Sequence, residues 1–224
     1  MKPTASVPSS IWRGHAASGL RVVASETPVA FVYDGGTEAV MMATPADLED
    51  FAIGFSLNDG VVVSPEDISE LTVADVEQGI ELRMKLREPH REALIARRRH
   101  RAGPVGCGLC GVESIEDALP TLPRVAASTT VKAAEVVAAM RALPPSQKLN
   151  AETRAVHAAA FLVPGEGIVA VREDVGRHNA LDKLAGALTR ANRQASTGAI
   201  LMTSRLSVEL VQKAAIMGAP VLAA

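Results

Sequence analysis

The chain has 224 residues, of which 48% are hydrophobic and only 3% aromatic, and its formal net charge is -2. This length allows one large domain or two small ones, with a core built mainly from aliphatic side chains. The near-neutral charge excludes the broad basic field typical of nucleic-acid binding, and no apolar run is long enough to predict a membrane span. Residues 1–20 lack the apolar region of a secretory signal, so we expect a disordered lead-in and a cytoplasmic protein.

Residues 21–120 are predicted to form an α+β domain. Strands are expected at 29–33 and 37–43, because the intervening Asp34-Gly35-Gly36 suits a tight hairpin turn. The other predicted elements of this domain are helices beginning at Thr44 and Ser64, a hairpin of strands 71–76 and 80–86, and a helix over 91–101.

Residues 121–224 are predicted to form an α/β domain that follows a linker marked by Pro120 and Pro123. Apolar strands alternate here with amphipathic helices, which is typical of this fold class. The predicted elements are helix 131–143, strands 156–163 and 168–172, helix 179–190, strand 199–203, helix 208–217 and strand 220–223. The last three form a strand–helix–strand unit, whose strands should run parallel with a right-handed connection.

Both cysteines lie in one glycine-rich loop at 103–111. Cys107 and Cys110 are separated by two residues, and glycines flank each of them. In a cytoplasmic protein such a pair indicates thiol chemistry or metal binding and not a structural disulfide. The basic run 97–101 precedes the loop, and nearby positive charge raises the thiolate fraction of a cysteine. The pattern favours a nucleophile that carries a transferred group, although the basic run can equally be a solvated helix face.

Two other uses of the cysteine pair stay open. A zinc site needs about four ligands, and here only isolated histidines could complete one, because the chain has no second Cys-x-x-Cys. A thioredoxin-type pair is expected at a helix start that follows a strand, whereas this loop follows a predicted helix. The group-carrier interpretation therefore implies that the protein holds no stable metal.

Two polar loops of the C-terminal half each join a predicted strand to a predicted helix. Free N–H groups at a helix N-terminus and arginine side chains suit phosphate, and ligands favour the crevice at the carboxyl ends of strands. The predicted ligand-binding residues of these loops are Asp174, Gly176, Arg177, His178, Asn179, Ser204, Arg205 and Ser207. Helix capping by Asp174 and by the serines, and a core position for His178, are the alternative interpretations.

Three blocks of sequence, taken together, resemble a known family. They are Gly-Cys-Gly-Leu-Cys-Gly at 106–111, Arg-Glu-Asp-Val-Gly-Arg-His-Asn-Ala-Leu-Asp-Lys at 172–183, and Thr-Ser-Arg-Leu-Ser at 203–207 followed by Glu209, Val211, Gln212 and Lys213. In this order they are similar to the motifs of the formate dehydrogenase accessory sulfurtransferases, the FdhD family. The resemblance runs from about residue 26 to the last residue, and its long middle block makes it specific.

The resemblance implies a function, partners and a fold. Family members take sulfur from a cysteine desulfurase as a persulfide on the residue that matches Cys107, and Cys110 matches their second loop cysteine. They pass the sulfur to the molybdenum or tungsten bis-guanine-dinucleotide cofactor, which a guanine nucleotide can mimic, before its insertion into formate dehydrogenase. The resemblance also implies an α/β fold with a cytidine-deaminase-like three-layer C-terminal part, a homodimer, and a cofactor contact for His157.

The chain departs from the family pattern in two places. Family members carry Thr-Gly-Gly where this chain has Thr153-Arg154-Ala155, so both glycines are replaced. An arginine there could block a close backbone approach or add a phosphate contact. Family chains also continue past residue 222 with a further helix, strand and cofactor-binding tail. On this pattern the chain is expected to be shortened at its C-terminus, with weakened cofactor affinity.

Two alternative functions follow from these features. A zinc-dependent deaminase needs His-x-Glu before its cysteine pair, but His157 is followed by Ala158-Ala159 and the cysteines come earlier in the chain. The sequence therefore argues against a deaminase. A non-catalytic chaperone, which would deliver the molybdenum cofactor without moving sulfur, remains the main alternative.

Overall fold

A computed structural model describes residues 1–12, 14, 16–94, 121–126 and 129–224 of the chain. The cysteine loop, both cysteines and most of the predicted helix 91–101 lie outside these residues. Among the helices that the structure describes, none is both long enough and apolar enough to cross a membrane.

An antiparallel ribbon precedes the first domain. Strand β1 (Thr4–Trp12) pairs with β2 (Ala16–Ala24) in a continuous register. The expectation of a disordered lead-in over 1–20 is therefore wrong. Backbone hydrogen bonds between the two strands hold the ribbon while most of its side chains stay exposed, so no apolar alternation marked these strands in the sequence.

The N-terminal half is built around a four-stranded mixed sheet in the order β4-β3-β6-β5. Its strands are β3 (Thr27–Tyr33), β4 (Gly36–Ala43), β5 (Ile68–Val76) and β6 (Gly79–Leu86). Both predicted hairpins are confirmed, and the central pair β3 and β6 runs parallel. The turn between β3 and β4 places Asp34 and Gly35 at positive φ, as a two-residue hairpin turn requires.

Helix α1 (Leu48–Asn58) covers one face of this sheet. Phe51 and Phe55 reach Phe31 of β3, with ring centroids 4.9 and 3.9 Å away. The helix begins later than the predicted Thr44, because the backbone N–H and the hydroxyl of Thr44 form hydrogen bonds with the C-terminal half. The shorter helix predicted from Ser64 is a single 3₁₀ turn, Pro65–Asp67.

The C-terminal half contains a second four-stranded sheet in the order β10-β9-β7-β8. Its strands are β7 (His157–Val163), β8 (Gly167–Asp174), β9 (Ala199–Met202) and β10 (Val221–Ala223). The helices are α2 (Ala133–Ala142), α3 (Lys148–Thr153), α4 (Arg177–Arg190) and α5 (Val208–Ile216). Strands β9 and β10 run parallel on either side of α5 in the sequence, as predicted, whereas the short α3 was not predicted.

Helices cover both faces of the C-terminal sheet. On one face, Phe161 and Met202 pack against Leu181 of α4 and Leu210 of α5. On the other face, Leu162 and Leu201 pack against Ala139 of α2. The α/β fold class is therefore confirmed, and the strands read as apolar runs because both of their faces are buried.

Helices α1 and α4 join the two halves by a close backbone contact. A Cβ atom at Gly54 of α1 would lie 1.7 Å from the carbonyl oxygen of Asp182, and one at Gly186 of α4 would lie 1.9 Å from that of Asp50. Only glycine fits at either position. Helix α4 is consequently buried over most of its length, with α1 on one side and the C-terminal sheet on the other.

Candidate functional site

Both polar loops predicted to bind a ligand lie at one edge of the C-terminal sheet. Strands β8 and β9 are each antiparallel to β7, so their carboxyl ends meet at the edge where β7 begins with His157. The loop after β8 leads into α4 and the loop after β9 leads into α5. His178 Nε2 lies 3.4 Å from the hydroxyl oxygen of Ser207, so the two loops touch. The predicted placement of these loops is confirmed.

Asp174 lies at the end of β8 with its side chain fully buried. Its Oδ2 accepts hydrogen bonds from the backbone N–H of Thr44 at 2.9 Å and from Lys183 Nζ at 2.7 Å. Its Oδ1 accepts from the backbone N–H of Gly176 at 2.8 Å and from Asn179 Nδ2 at 2.9 Å. Both oxygens are therefore saturated by donors that come from both halves of the molecule.

Lys183 and Asn179 complete this buried group. Lys183 Nζ also donates to the carbonyl of Thr44 at 2.8 Å and lies 5.5 Å from the ring centroid of Phe51. Burial lowers the pKa of Lys183, whereas the Asp174 carboxylate opposes that shift. The amide of Asn179 donates a further hydrogen bond to the carbonyl of Met42 at 2.9 Å. We call Asp174, Asn179 and Lys183 the interdomain cluster.

The interdomain cluster gives Asp174 and Asn179, two predicted ligand contacts, partners within the protein. An ionised carboxylate has about four acceptor positions, and those of Asp174 are occupied, so this residue has none left for a guanine or a ribose. Asn179 is buried and points its amide at Asp174 and at Met42. Gly176 has a related role, because a Cβ there would lie 2.9 Å from Asn179 Nδ2. Its missing side chain makes room for Asn179.

Arg177 and His178 start helix α4 at the sheet edge. Arg177 Nε is buried and has no hydrogen-bond partner among the described residues, which is rare for a charged donor. Burial lowers the pKa of His178, and Arg177 and Lys213 lower it further. Burial followed by Arg177 likewise lowers the pKa of His157. Both histidines are held toward the neutral form beside a guanidinium whose Nε lacks a partner among the described residues.

The second loop contributes hydroxyl groups with different roles. Ser204 is buried and its hydroxyl donates to the carbonyl of Arg205 at 3.1 Å, whereas the Arg205 side chain is exposed. Ser207 precedes α5 as its N-cap residue, but its hydroxyl forms no capping bond. It lies between His178 and Glu209, and its hydrogen bond to Glu209 lowers the pKa of that carboxyl group. Of these three side chains, only that of Arg205 is exposed, whereas the Ser207 hydroxyl already contacts His178 and Glu209.

Other charged residues of block 172–183 also join parts of the fold. Arg172 donates to the buried carboxylate of Asp50 at 2.7 Å, and Arg190 donates to its other oxygen at 2.8 Å. Glu173 accepts the backbone N–H groups of Leu149 and Asn150 in the first turn of α3, at 2.8 Å each. Asp182 accepts hydrogen bonds from Asn58 of α1 and from Lys213 of α5. Charges at otherwise apolar helix positions, such as Lys183 beside Leu181 and Leu184, are the signal that could have revealed these contacts.

The family departure at 153–155 has a conformational explanation. Arg154 follows α3 with φ 56° and ψ 29°, the left-handed region that glycine adopts most easily. The Arg154 side chain is exposed. The left-handed conformation at the end of α3 therefore explains why family members have glycine here. Arg154 adopts this same left-handed conformation, at some cost in strain.

The cysteine loop lies outside the described residues, so the predicted roles of Cys107 and Cys110 stay predictions. Within the part of the chain that the structure describes, no three His, Cys, Asp or Glu side chains are grouped as metal ligands.

The chain is similar to known proteins over nearly its whole length. It is 54% identical over 217 residues to a sulfur carrier protein FdhD from Agrobacterium fabrum, which covers 96% of this chain and 80% of that one. It is also 54% identical over 205 residues to a sulfur carrier protein FdhD from Brucella abortus, which covers 91% and 76%. A crystal structure of a proposed formate dehydrogenase accessory protein from Desulfotalea psychrophila shares the fold, with a TM-score of 0.73, 24% identity and coverage of 98% and 82%.

The sequence profile of one family accounts for this similarity. It matches residues 24–224, a span that includes both sheets, the interdomain cluster and the two loops at the sheet edge. The match and the identities agree with the motifs at 106–111, 172–183 and 203–207. The chain therefore belongs to the FdhD/NarQ family.

Proposed function

We propose that this protein is a sulfurtransferase that carries sulfur as a persulfide on Cys107 and delivers it to a cofactor of formate dehydrogenase. The donor is a cysteine desulfurase, and the acceptor substrate is the molybdenum or tungsten bis-guanine-dinucleotide cofactor. The observation that carries the proposal is the 54% identity to proteins named as sulfur carriers. The loop motif at 106–111 supplies the thiol that such a carrier needs.

The loading step balances without an added oxidant or reductant. The Cys107 thiolate attacks the outer sulfur of the donor's persulfide, and a new sulfur–sulfur bond forms at Cys107. The donor's own sulfur–sulfur bond breaks, and its cysteine leaves as a thiolate with the electron pair. Cys110 lies in the same loop and offers a second thiol.

The sheet edge is the proposed site for the phosphate groups of the acceptor. The Arg177 guanidinium suits an anion, because it is charged and its buried Nε has no partner among the described residues. The backbone N–H groups at the start of α4 add a partial positive charge at the same place. His178 and Ser207 border this position. These residues fit a ligand that carries phosphate, and guanosine diphosphate is the matching probe.

Intact mass measurement tests the sulfur step. We expect the protein, incubated with a cysteine desulfurase and cysteine, to gain the mass of one sulfur atom, and Cys107→Ala to gain none. Cys110→Ala is the matched control, because it removes a thiol from the same loop and should still be loaded. An equal gain in Cys107→Ala would rule out the assignment of Cys107.

The alternative function, a chaperone that delivers the cofactor without moving sulfur, predicts a different result. In that case Cys107→Ala would still mature formate dehydrogenase at the wild-type level in cells. The sulfurtransferase proposal predicts that this variant binds guanosine diphosphate normally but fails to support the dehydrogenase.

A further inference from the structure

The interdomain cluster fixes both ends of a very short segment. Asp174 anchors the end of β8 to the backbone of Thr44, and Asn179 anchors the first turn of α4 to the carbonyl of Met42. Between them, the N–H of Val175 donates to the Thr44 hydroxyl at 3.2 Å. The segment 175–178 therefore cannot shift without breaking hydrogen bonds to the N-terminal half.

We infer that Asp174, Asn179 and Lys183 are positioning residues, which hold Arg177 and His178 at the sheet edge without touching the ligand themselves. The identity of the ligand in this inference rests on the proposed function. The hydrogen bonds that fix the segment do not depend on it. Arg177 and His178 lie on the segment that is fixed at both ends, and His178 Nε2 lies 3.4 Å from the hydroxyl oxygen of Ser207.

The chemistry of the cluster supports positioning over simple packing. Replacing a buried ion pair with apolar side chains of similar volume is often neutral or even stabilising. Such a replacement could fill the space of Asp174 and Lys183. It could not accept the N–H groups of Thr44 and Gly176, which the carboxylate orients at 2.9 and 2.8 Å. An apolar pair would therefore lack the two carboxylate oxygens that accept these N–H groups.

Asp50 offers a matched control for this inference. Like Asp174, it is a buried aspartate that joins the two halves, and it accepts from Arg172 and Arg190. Neither of those partners belongs to segment 175–178. Asp174→Asn and Asp50→Asn each keep the shape of the side chain and remove one buried interdomain charge, so both should lower the melting temperature.

The test compares these two variants by amide hydrogen exchange and by binding of guanosine diphosphate. We expect Asp174→Asn, but not Asp50→Asn, to raise the exchange rate in peptides covering 174–179 more than in peptides from α1. We also expect Asp174→Asn to weaken guanosine diphosphate binding by about tenfold or more. Sulfur loading of Cys107 should be unchanged in both. If Asp174→Asn does not fold, the double variant Asp174→Asn with Lys183→Met, which leaves no unpaired charge, is measured in its place.

Two outcomes would overturn the inference. One is exchange in 174–179 that rises no more in Asp174→Asn than in Asp50→Asn. The other is nucleotide binding that weakens equally in both variants, in step with their melting temperatures. If the wild-type protein does not bind guanosine diphosphate at all, the proposed acceptor fails, and the exchange result alone decides whether the cluster positions the segment.

Discussion

Arg177 carries a buried donor atom that no other described residue satisfies. Its Nε is buried and lacks a partner among the described residues, and a buried donor without an acceptor costs about 1–3 kcal/mol. Binding an anion at the sheet edge would remove that cost. On the proposed function, occupancy of the site would therefore raise the stability of the protein.

Replacing Arg177 with methionine should separate binding from stability. We expect Arg177→Met to weaken guanosine diphosphate binding by about 10- to 100-fold, because a charged hydrogen bond is lost. Its melting temperature should stay the same or rise, because the unsatisfied donor is removed as well. Calorimetric titration and thermal denaturation measure the two effects. Arg193→Met, at a half-exposed arginine paired with Glu166, is the control, and equal binding by both variants would contradict the assignment.

His157 and His178 make stability depend on pH. Burial and the neighbouring Arg177 lower the pKa of both in the folded protein, whereas in the unfolded chain both titrate near about 6.5. Below that pH the unfolded chain binds more protons, so the free energy of unfolding is at its full value above about pH 6.5 and decreases as the pH falls. We expect the urea midpoint to drop between about pH 7.5 and pH 5.5.

The variant His157→Gln with His178→Gln provides the comparison for this pH effect. It should lose less stability over the same interval, since the two groups responsible are absent. An equal drop in the variant and in the wild-type protein would assign the effect to other residues.

At the scale of elements, α4 is the helix that contacts both halves of the molecule. Its first turn carries Arg177 and His178, its middle carries Lys183 and Gly186, and its end carries Arg190. One face packs on the C-terminal sheet and the opposite face packs on α1. A change in the α1 contact is therefore expected to reach the site through the same helix.

The glycine contact between α1 and α4 gives a direct test of this packing. Gly186→Ala places a methyl group against the backbone of Asp50, which cannot rotate away. We expect the free energy of unfolding to fall by about 1–3 kcal/mol, in spite of the better helix propensity of alanine. Gly19→Ala in the ribbon, where no atom lies within 4 Å of the added Cβ, should change it by less than about 0.5 kcal/mol. Urea denaturation measures the free energy of unfolding of both variants. Equal values would show that α1 and α4 can move apart without loss of stability.

At the scale of the whole molecule, the two sheets are joined by buried polar bonds as well as by helix packing. Asp174 and Lys183 are fully buried between the halves, and Asp50 receives two arginines across the same boundary. Separating the halves would break the hydrogen bonds that these charged groups make across the boundary. Neither half is therefore expected to remain folded when the other unfolds.

This coupling predicts a single unfolding transition. Differential scanning calorimetry should give one peak, with calorimetric and van't Hoff enthalpies that agree. Asp50→Ala should move the whole peak to lower temperature without splitting it. Two resolved transitions in the wild-type protein would show that the halves unfold independently.

The sequence alone determined the elements whose signals are local. Hairpin turns at Asp34-Gly35 and apolar runs such as 156–163 specify backbone conformation and burial within a few residues, so most strands and helices were predicted near their observed bounds. The family motifs were likewise readable, because they consist of consecutive residues. The ribbon over 1–24 was missed, since its strands pair without burying an apolar face.

Only the tertiary structure decided what the residues of block 172–183 do. In sequence, Asp174, Asn179, Arg177 and His178 are equivalent polar residues at a helix start. In the fold, the first two face donors and acceptors from Met42 and Thr44, more than a hundred residues earlier in the chain, while the other two begin helix α4 beside Ser207. Hydrogen-bond partners so distant in sequence leave no local pattern, so the hydrogen bonds that bury Asp174 and Asn179 appear only once the two halves are packed together.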